Sequence, residues 1–434
     1  MKRNTLFILV LVVLVLTFST YLQAEERVLT KEEAIEIAQE KNPEIQRLHK
    51  EVEIAKTGIE LARSGYWPNL DLSSSYTRLG DPPSVPTLEG GQLTLEDGPK
   101  DNYALSLNLQ QPIYLGGQIR AGYRLAEIAV EAAQAQLKEQ QQELTYQVSE
   151  AYYNVLKTEE LVELAKQEKD RLGEYVHQAE TNYEVGLATS TDLLQAEINY
   201  NRSQQALLRA ENALQLARLS FQNTLNLEEE DFTLSGDLDW EEEDIFLAEL
   251  KDYAFTNRID LEQLELQEDR LKQELRQAQA QRRPQLSFSG DYSTEDDSFF
   301  ELRDGDWSVS LALNYNLFDG GESRSRVKQQ EQELSKLEIS RQQLEDLIEL
   351  EIQESLLSLK ESKQQLELME LNLKQAEKNL AEMEVKFREG LITSLELLEA
   401  QHTYQEVKTD YLEAIYDYNL AIAKIDKVSA RNLD

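Results

Sequence analysis

The sequence predicts a mainly α-helical, exported chain that contributes a few strands to a membrane β-barrel. Three observations carry that expectation: the 434 residues read as two similar halves, each half holds a helical pattern almost 70 residues long, and each holds two strands alternating apolar with small polar residues. Composition narrows the class further. Against 82 Asp+Glu there are only 44 Lys+Arg, a formal net charge of -38, so nucleic acid, which needs a basic face, is not an expected partner. Cysteine is absent, which removes disulfides, thiolate metal sites, a Cys nucleophile and a lipidated N-terminal Cys. The three His (His49, His177, His402) stand far apart without a second His at ligand spacing, so neither a metal centre nor a cofactor is expected.

Lys2 and Arg3 precede an apolar run from Leu6 to Leu16, then a polar stretch ends in Leu22-Gln23-Ala24 before Glu25-Glu26. This pattern predicts a secretory signal peptide over 1–24, cut after Ala24. An anchor helix is the competing reading, but the run falls short of the roughly 18 to 20 residues a span needs. No later segment reads as a membrane-crossing helix, so insertion has to use β-strands.

Self-comparison gives a first repeat over 25–225, a linker over 226–244 and a second repeat over 245–434. Asn42-Pro43-Glu44-Ile45 returns as Arg258-Ile259-Asp260-Leu261, and Trp67-Pro68-Asn69-Leu70 as Arg283-Pro284-Gln285-Leu286, both at an offset of 216. Tyr114-Leu115-Gly116-Gly117-Gln118 returns as Phe318-Asp319-Gly320-Gly321-Glu322, and Tyr183-Glu184-Val185-Gly186-Leu187 as Phe387-Arg388-Glu389-Gly390-Leu391, both at 204. The difference of 12 falls within Leu79 to Asn102, where Pro82, Pro83, Pro86, Gly90 and Gly91 predict an irregular loop.

Residues 119–185 and 322–389 are uninterrupted helical patterns, rods of roughly 100 Å at about 1.5 Å per residue. Shorter helices are expected near 30–64, 191–224, 245–281 and 395–428. Leu366, Met369, Leu373, Ala376, Leu380, Met383 and Phe387 form a heptad seam, matched in the first half except at Lys169. Four strands are expected, about 67–78, 103–115, 285–293 and 307–317. Their one apolar and one small polar face suits a barrel wall in lipid. Four strands cannot close, and open edges are not tolerated there, so several copies must build one barrel: eight strands from two or twelve from three.

The ordered set of motifs, occurring twice over essentially the whole mature chain, resembles the TolC family of outer-membrane efflux and export channels. The resemblance implies a homotrimer with one twelve-stranded barrel in outer-membrane lipid, continuous with an α-barrel tunnel across the periplasm. It also implies service as an exit duct for small molecules or exported polypeptide, with a periplasmic adaptor and an inner-membrane transporter as partners. The rival reading is an exported coiled-coil scaffold or periplasmic adaptor. No motif brings a nucleophile, base and orienting group together, so no catalytic residues are expected.

Gly186 and Gly390 stand where a long helix must reverse, a place where glycine supplies the left-handed backbone. Thr393-Ser394-Leu395-Glu396 reads as a capping box, as does Thr189-Ser190-Thr191-Asp192. By resemblance these tips, with Leu187 and Leu391, form the periplasmic entrance where adaptor hairpins dock. Glu396 and Glu399 share a helical face, and on the family pattern they fall where acidic residues ring a cation-preferring entrance. Asp192 falls where the family can place an acceptor for a gate-holding bond from a basic residue of the second tip, but here that position is Ile392. The departure predicts a gate held differently. The acidic clusters Glu228–Asp231, Trp240–Asp244 and Glu295–Asp306 read as solvated surface.

Overall fold

The computed structural model describes residues 27–82, 84–89, 92–97, 99–228, 232–242, 245–298 and 305–431. The expected signal peptide, Pro83, Gly90, Gly91 and parts of all three acidic clusters lie outside these residues. In chain order the elements are β1 (Arg27–Leu29), α1 (Lys31–Lys41), α2 (Pro43–Ser64), β2 (Asn69–Arg78), β3 (Ser84–Glu89), β4 (Gln92–Asp97), β5 (Asp101–Leu115), α3 (Gln118–Glu184) and α4 (Ser190–Leu225). There follow β6 (Phe232–Leu234), α5 (Leu247–Asn257), α6 (Ile259–Ala280), β7 (Gln285–Asp296), β8 (Gly305–Asn314), α7 (Glu322–Arg388) and α8 (Ser394–Ser429). The chain is mostly helical, and none of the helices among the described residues is long and apolar enough to cross a membrane.

Packing separates two compact units, each drawing on both halves of the sequence. One comprises Met1–His49, Gln136–Ile259 and Leu344–Asp434; the other comprises Lys50–Ala135 and Asp260–Gln343.

The second unit carries a four-stranded antiparallel sheet in the order β2-β5-β7-β8. Leu72 lies opposite Leu107, which lies opposite Tyr292, which lies opposite Trp307, so one row of large apolar side chains crosses all four strands. The next row is Ser73, Ser106, Ser293 and Asp306, small and polar. Alternation with period two thus sends apolar and polar groups to opposite faces. Between β5 and β7 the register shifts once, between Pro112 and Tyr114. Where β5 turns into α3, Gly116 has φ +68° and its Cα sits so close to α6 that an added Cβ would lie 2.5 Å from the Ala280 carbonyl oxygen. The Arg283 guanidinium donates to the Gly116 carbonyl at 2.9 Å, fastening the turn.

Three expectations need correction. The stretch expected as an irregular loop holds a hairpin, β3 paired antiparallel with β4 from Ser84↔Asp97 to Glu89↔Gln92. The ladder closes at Glu89↔Gln92, a separation that hairpins favour, and in a two-stranded ribbon Pro86 can turn its donorless nitrogen outward. The helices expected to run unbroken over 30–64 and 245–281 are each split, at Asn42 and at Arg258, where ψ is 125° and 130°. Pro43 disfavours helical backbone at Asn42 and then suits the first position of α2. At Arg258 the guanidinium donates to Glu351 at 2.8 Å and to the Val428 carbonyl at 3.1 Å, which ties the break to α7 and α8. Finally, the strand expected to reach 317 stops at Asn314, whereas β7 runs on to Asp296.

The first unit holds a two-stranded parallel sheet that the sequence did not suggest, β1 with β6. Phe221, fully buried, packs against Tyr152 and Phe232 with ring centroids 6.2 and 5.3 Å away. Burying each such ring contributes roughly 1.5–3 kcal/mol. The 226–244 segment is clasped to α8: Tyr418 donates to the Glu241 carbonyl at 3.0 Å and Asn419 to the Asp239 carbonyl at 2.9 Å. The heptad seam turns inward here, with Leu366, Leu373, Ala376 and Leu380 all buried.

Candidate functional site: the hairpin tips

Two helical hairpins, α3–α4 and α7–α8, end in tips built on one plan. At the first, Gly186 takes φ +80°, its N–H bonds to the Tyr183 carbonyl at 3.0 Å, and the Leu187 N–H reaches back to the Asn182 carbonyl at 2.8 Å. At the second, Gly390 takes φ +73°, bonding to Phe387 at 3.0 Å while Leu391 bonds to Lys386 at 2.9 Å. Both are the paired closing bonds of a Schellman turn, which satisfy the last carbonyls of the long helix.

The returning helices start with reciprocal capping boxes. Asp192 accepts from the Thr189 N–H at 2.9 Å and the Thr189 hydroxyl at 2.8 Å, while its own N–H bonds to Thr189 Oγ1 at 3.3 Å. Glu396 does the same with Thr393, at 2.7, 2.8 and 3.4 Å. These bonds, backbone first and hydroxyl second, hold both carboxyls below their ordinary pKa. Glu399, one turn further along α8, is exposed and outside the cap. The caps thus favour the charged form of Asp192 and Glu396 and fix both in place, and all three side chains lie open to solvent.

The tips differ at the residue before each cap. Ile392 is half-buried and packs against a cluster of Leu380, Leu397 and Ala400, together with Met383, Phe387 and Tyr404. Since Thr393 is the cap, Ile392 and Leu397 stand at the two positions of a hydrophobic staple. Ala188 occupies the corresponding place in the first tip. The staple could have been read from an apolar residue just before Thr393 and another four positions after it; attention to the missing basic residue hid it. Sequence reasoning also missed how open the apolar side chains at the tips are: Leu187 is 81% exposed, Leu391 68%, Leu395 63% and Leu194 57%. Behind the tips the hairpins touch, Tyr175 against Phe387 at 6.2 Å and Gln405 donating to Glu168 at 3.0 Å.

A sheet with one apolar and one polar face, joined to long helical hairpins, is the build expected of an outer-membrane channel protein. The family described as Outer membrane efflux protein matches residues 34–227 and 251–430, and the chain belongs to it. It is 24% identical over 404 residues to the alkaline protease secretion protein AprF of Pseudomonas aeruginosa, covering 90% of this chain and 82% of that one. To the outer membrane protein TolC of Escherichia coli it is 23% identical over 415 residues, covering 92% and 81%. The outer membrane channel CmeC of Campylobacter jejuni shares the fold, with TM-score 0.77 at 16% identity over 92% of this chain and 85% of that one. The protein resides in the outer membrane as an exit duct of the kind that serves efflux pumps or secretion systems. The scaffold reading is thereby set aside.

Proposed function

We propose that three copies close one twelve-stranded barrel in outer-membrane lipid, continued into the periplasm by a helical tunnel. The tips form its entrance, contact a periplasmic adaptor and receive cargo from an inner-membrane transporter. The observation that carries this reading is the sheet itself. It has four strands, its outer strands β2 and β8 pair only inward among the described residues, and one face is apolar. In lipid, unpaired edge groups cost several kcal/mol each, so the edges must meet edges of other copies.

The tips support the entrance assignment through their exposed Leu187, Leu194, Leu391 and Leu395, apolar groups suited to a docking surface. Asp192, Glu396 and Glu399 add negative charge there, which favours cations at a narrow mouth. Duplication of the chain is supported by the hairpins. All ten β2–β5 pairs, from Asn69↔Gln110 to Arg78↔Asp101, map onto the β7–β8 pairs Gln285↔Asn314 to Thr294↔Gly305 at the offsets 216 and 204. A passive duct takes its cargo specificity from its transporter.

Mass measurement of detergent-extracted protein tests the reading: a species of three mature chains that conducts ions in planar bilayers is expected. A stable single chain with an intact sheet would overturn it.

A further inference from the structure

We infer that the arginines where the sheet meets the helices hold the phosphates of net-negative phospholipids in the periplasmic leaflet of the outer membrane, with Arg63 seating one headgroup beside Tyr66, Trp67 and Tyr123. The inference rests on the reading above of a barrel in lipid with its helices in the periplasm.

The charge runs against the trend of the chain. In a sequence of net charge -38, the turns next to the sheet carry Arg63 at the end of α2, Arg120 and Arg124 at the start of α3, Arg282 after α6, and Arg324 and Lys328 at the start of α7. The acids in the same turns, Asp319 and Glu322, are both engaged. Asp319 accepts from the Gly321 and Ser323 N–H groups at 2.9 and 3.0 Å, and Glu322 pairs with Arg326. Arg63, Arg120, Arg282, Arg324 and Lys328 are exposed and make no ion pair among the described residues. At the other end of the sheet the balance reverses, with Asp81, Asp101, Glu295, Asp296 and Asp306 against Arg78 and Lys100. A band of unpaired cations at one end only is the complement of a layer of fixed anions there.

Both halves keep the band, since Arg120 and Arg124 recur as Arg324 and Lys328 at the offset of 204. On α3, Ile119 and Tyr123 face the end of α2: an added Cβ at Gly65 would lie 3.7 Å from Ile119 Cγ2, and the Tyr66 and Tyr123 rings meet edge-on at 6.4 Å. Gly122 faces α6, where an added Cβ would lie 3.8 Å from Gln277 Nε2. At about 100° per residue these contacts fall on adjoining sides of α3, and Arg120 and Arg124 fall on the wide remaining arc. In a closed wall the wide arc of a helix is the convex one. This pair therefore turns outward, toward the lipid boundary and away from the duct.

Arg63 has a recess of its own. It lines an open cavity of about 500 Å³ with Tyr66, Trp67 and Tyr123, and Trp67 is 65% exposed. A phosphate held bidentately by the guanidinium leaves the glycerol of its lipid against aromatic rings, which favour the boundary between headgroups and hydrocarbon. The apolar rows of the sheet begin immediately beyond, with Leu70 opposite Leu109.

Trp67 reports on the site. The chain has three Trp, so Trp240→Phe with Trp307→Phe leaves Trp67 alone. In vesicles holding the full-length protein with that pair of changes, brominated phosphatidylglycerol should compete for Trp67 about fivefold better than brominated phosphatidylethanolamine. Adding Arg63→Gln should bring that ratio close to unity, and adding Arg120→Gln with Arg324→Gln should lower it in part. Lys166→Gln with Lys378→Gln, the same charge change in the other unit, should leave it unaltered. Equal quenching by the two lipids, in protein whose extracted mass is that of three chains, overturns the inference and leaves the barrel reading standing. An undiminished ratio in Arg63→Gln overturns it too, as does relief of quenching by inorganic phosphate, which would assign the site to a free anion. If Arg120→Gln with Arg324→Gln alters ion selectivity but not the lipid ratio, the arginines face the duct and the inference fails. A single-chain mass instead removes the barrel reading, and the lipid band with it.

Discussion

The two hairpin tips share a turn, a cap and an acid, yet they are held differently. At the first, Ala188 precedes the cap; at the second, Ile392 adds an apolar staple onto Leu380, Leu397 and Ala400. A side chain that packs sideways into its own hairpin presents no donor to the other one. If a basic residue at this position would latch the two hairpins, Ile392 is expected to exchange that latch for a staple within its own hairpin. Two hairpins of one length, 67 residues out and 36 back, are thus expected to end with unequal local stability.

The largest effect is expected where the tips are alike. At Gly186 and Gly390 an added Cβ meets no atom within 4 Å, so the cost of a side chain is backbone strain only. Left-handed backbone costs a β-branched residue roughly 1–2 kcal/mol or more, and an exposed tip relieves that strain by deforming. Gly186→Val and Gly390→Val should therefore insert and assemble normally but lose efflux and lose crosslinking to the adaptor. Normal pumping and crosslinking by both variants would make these turns mere connectors.

That symmetry was legible because turns and caps are written locally: glycine after the last helical position, then Thr with an acid three residues on. The four strands were legible from alternation, and the long helices from an unbroken period. What escaped notice depends on neighbours distant in sequence. β1 and β6 are three residues each and exist because they pair with one another across some 200 residues. The β3–β4 hairpin was obscured by proline and glycine, which weigh against a strand only when it must be paired on both sides. The split at Arg258 is set by Glu351 and the Val428 carbonyl, partners no local pattern reveals.

The next effect should separate the tips. Ile392→Ala removes a half-buried side chain from the staple cluster, which should cost roughly 1–2 kcal/mol locally, below the 2–5 kcal/mol of a fully buried site. Hydrogen exchange over 387–397 should then rise to the level of 183–193 in the first tip. Ala188→Ile, which adds a side chain where the first tip has only a methyl group, should change that tip's exchange much less than Ile392→Ala changes the second. Equal exchange at the two tips before mutation would mean that the staple adds nothing.

The smallest structural effect, and the one aimed most directly at conduction, concerns the acids of α8. Glu396 is bound into its cap, and Gln can replace it there because an amide oxygen still accepts from Thr393. Glu399 makes no cap bond, so Gln at that place changes charge alone. The double variant Glu396→Gln with Glu399→Gln should keep the assembly intact while lowering cation preference in planar bilayers, with unchanged selectivity removing both from the conduction path. Acid offers a second handle on the cap. Thr393 holds the folded Glu396 below its ordinary value of 4.5, so its stabilising contribution is complete above that value and is lost as pH falls through the lower folded one. Exchange over 393–397 should accordingly rise on acidification below about 4.5 in the unmutated protein and stay flat in Glu396→Gln. If both respond alike, the acid sensitivity of the tip belongs to other carboxylates and Glu396 is a cap whose charge is incidental.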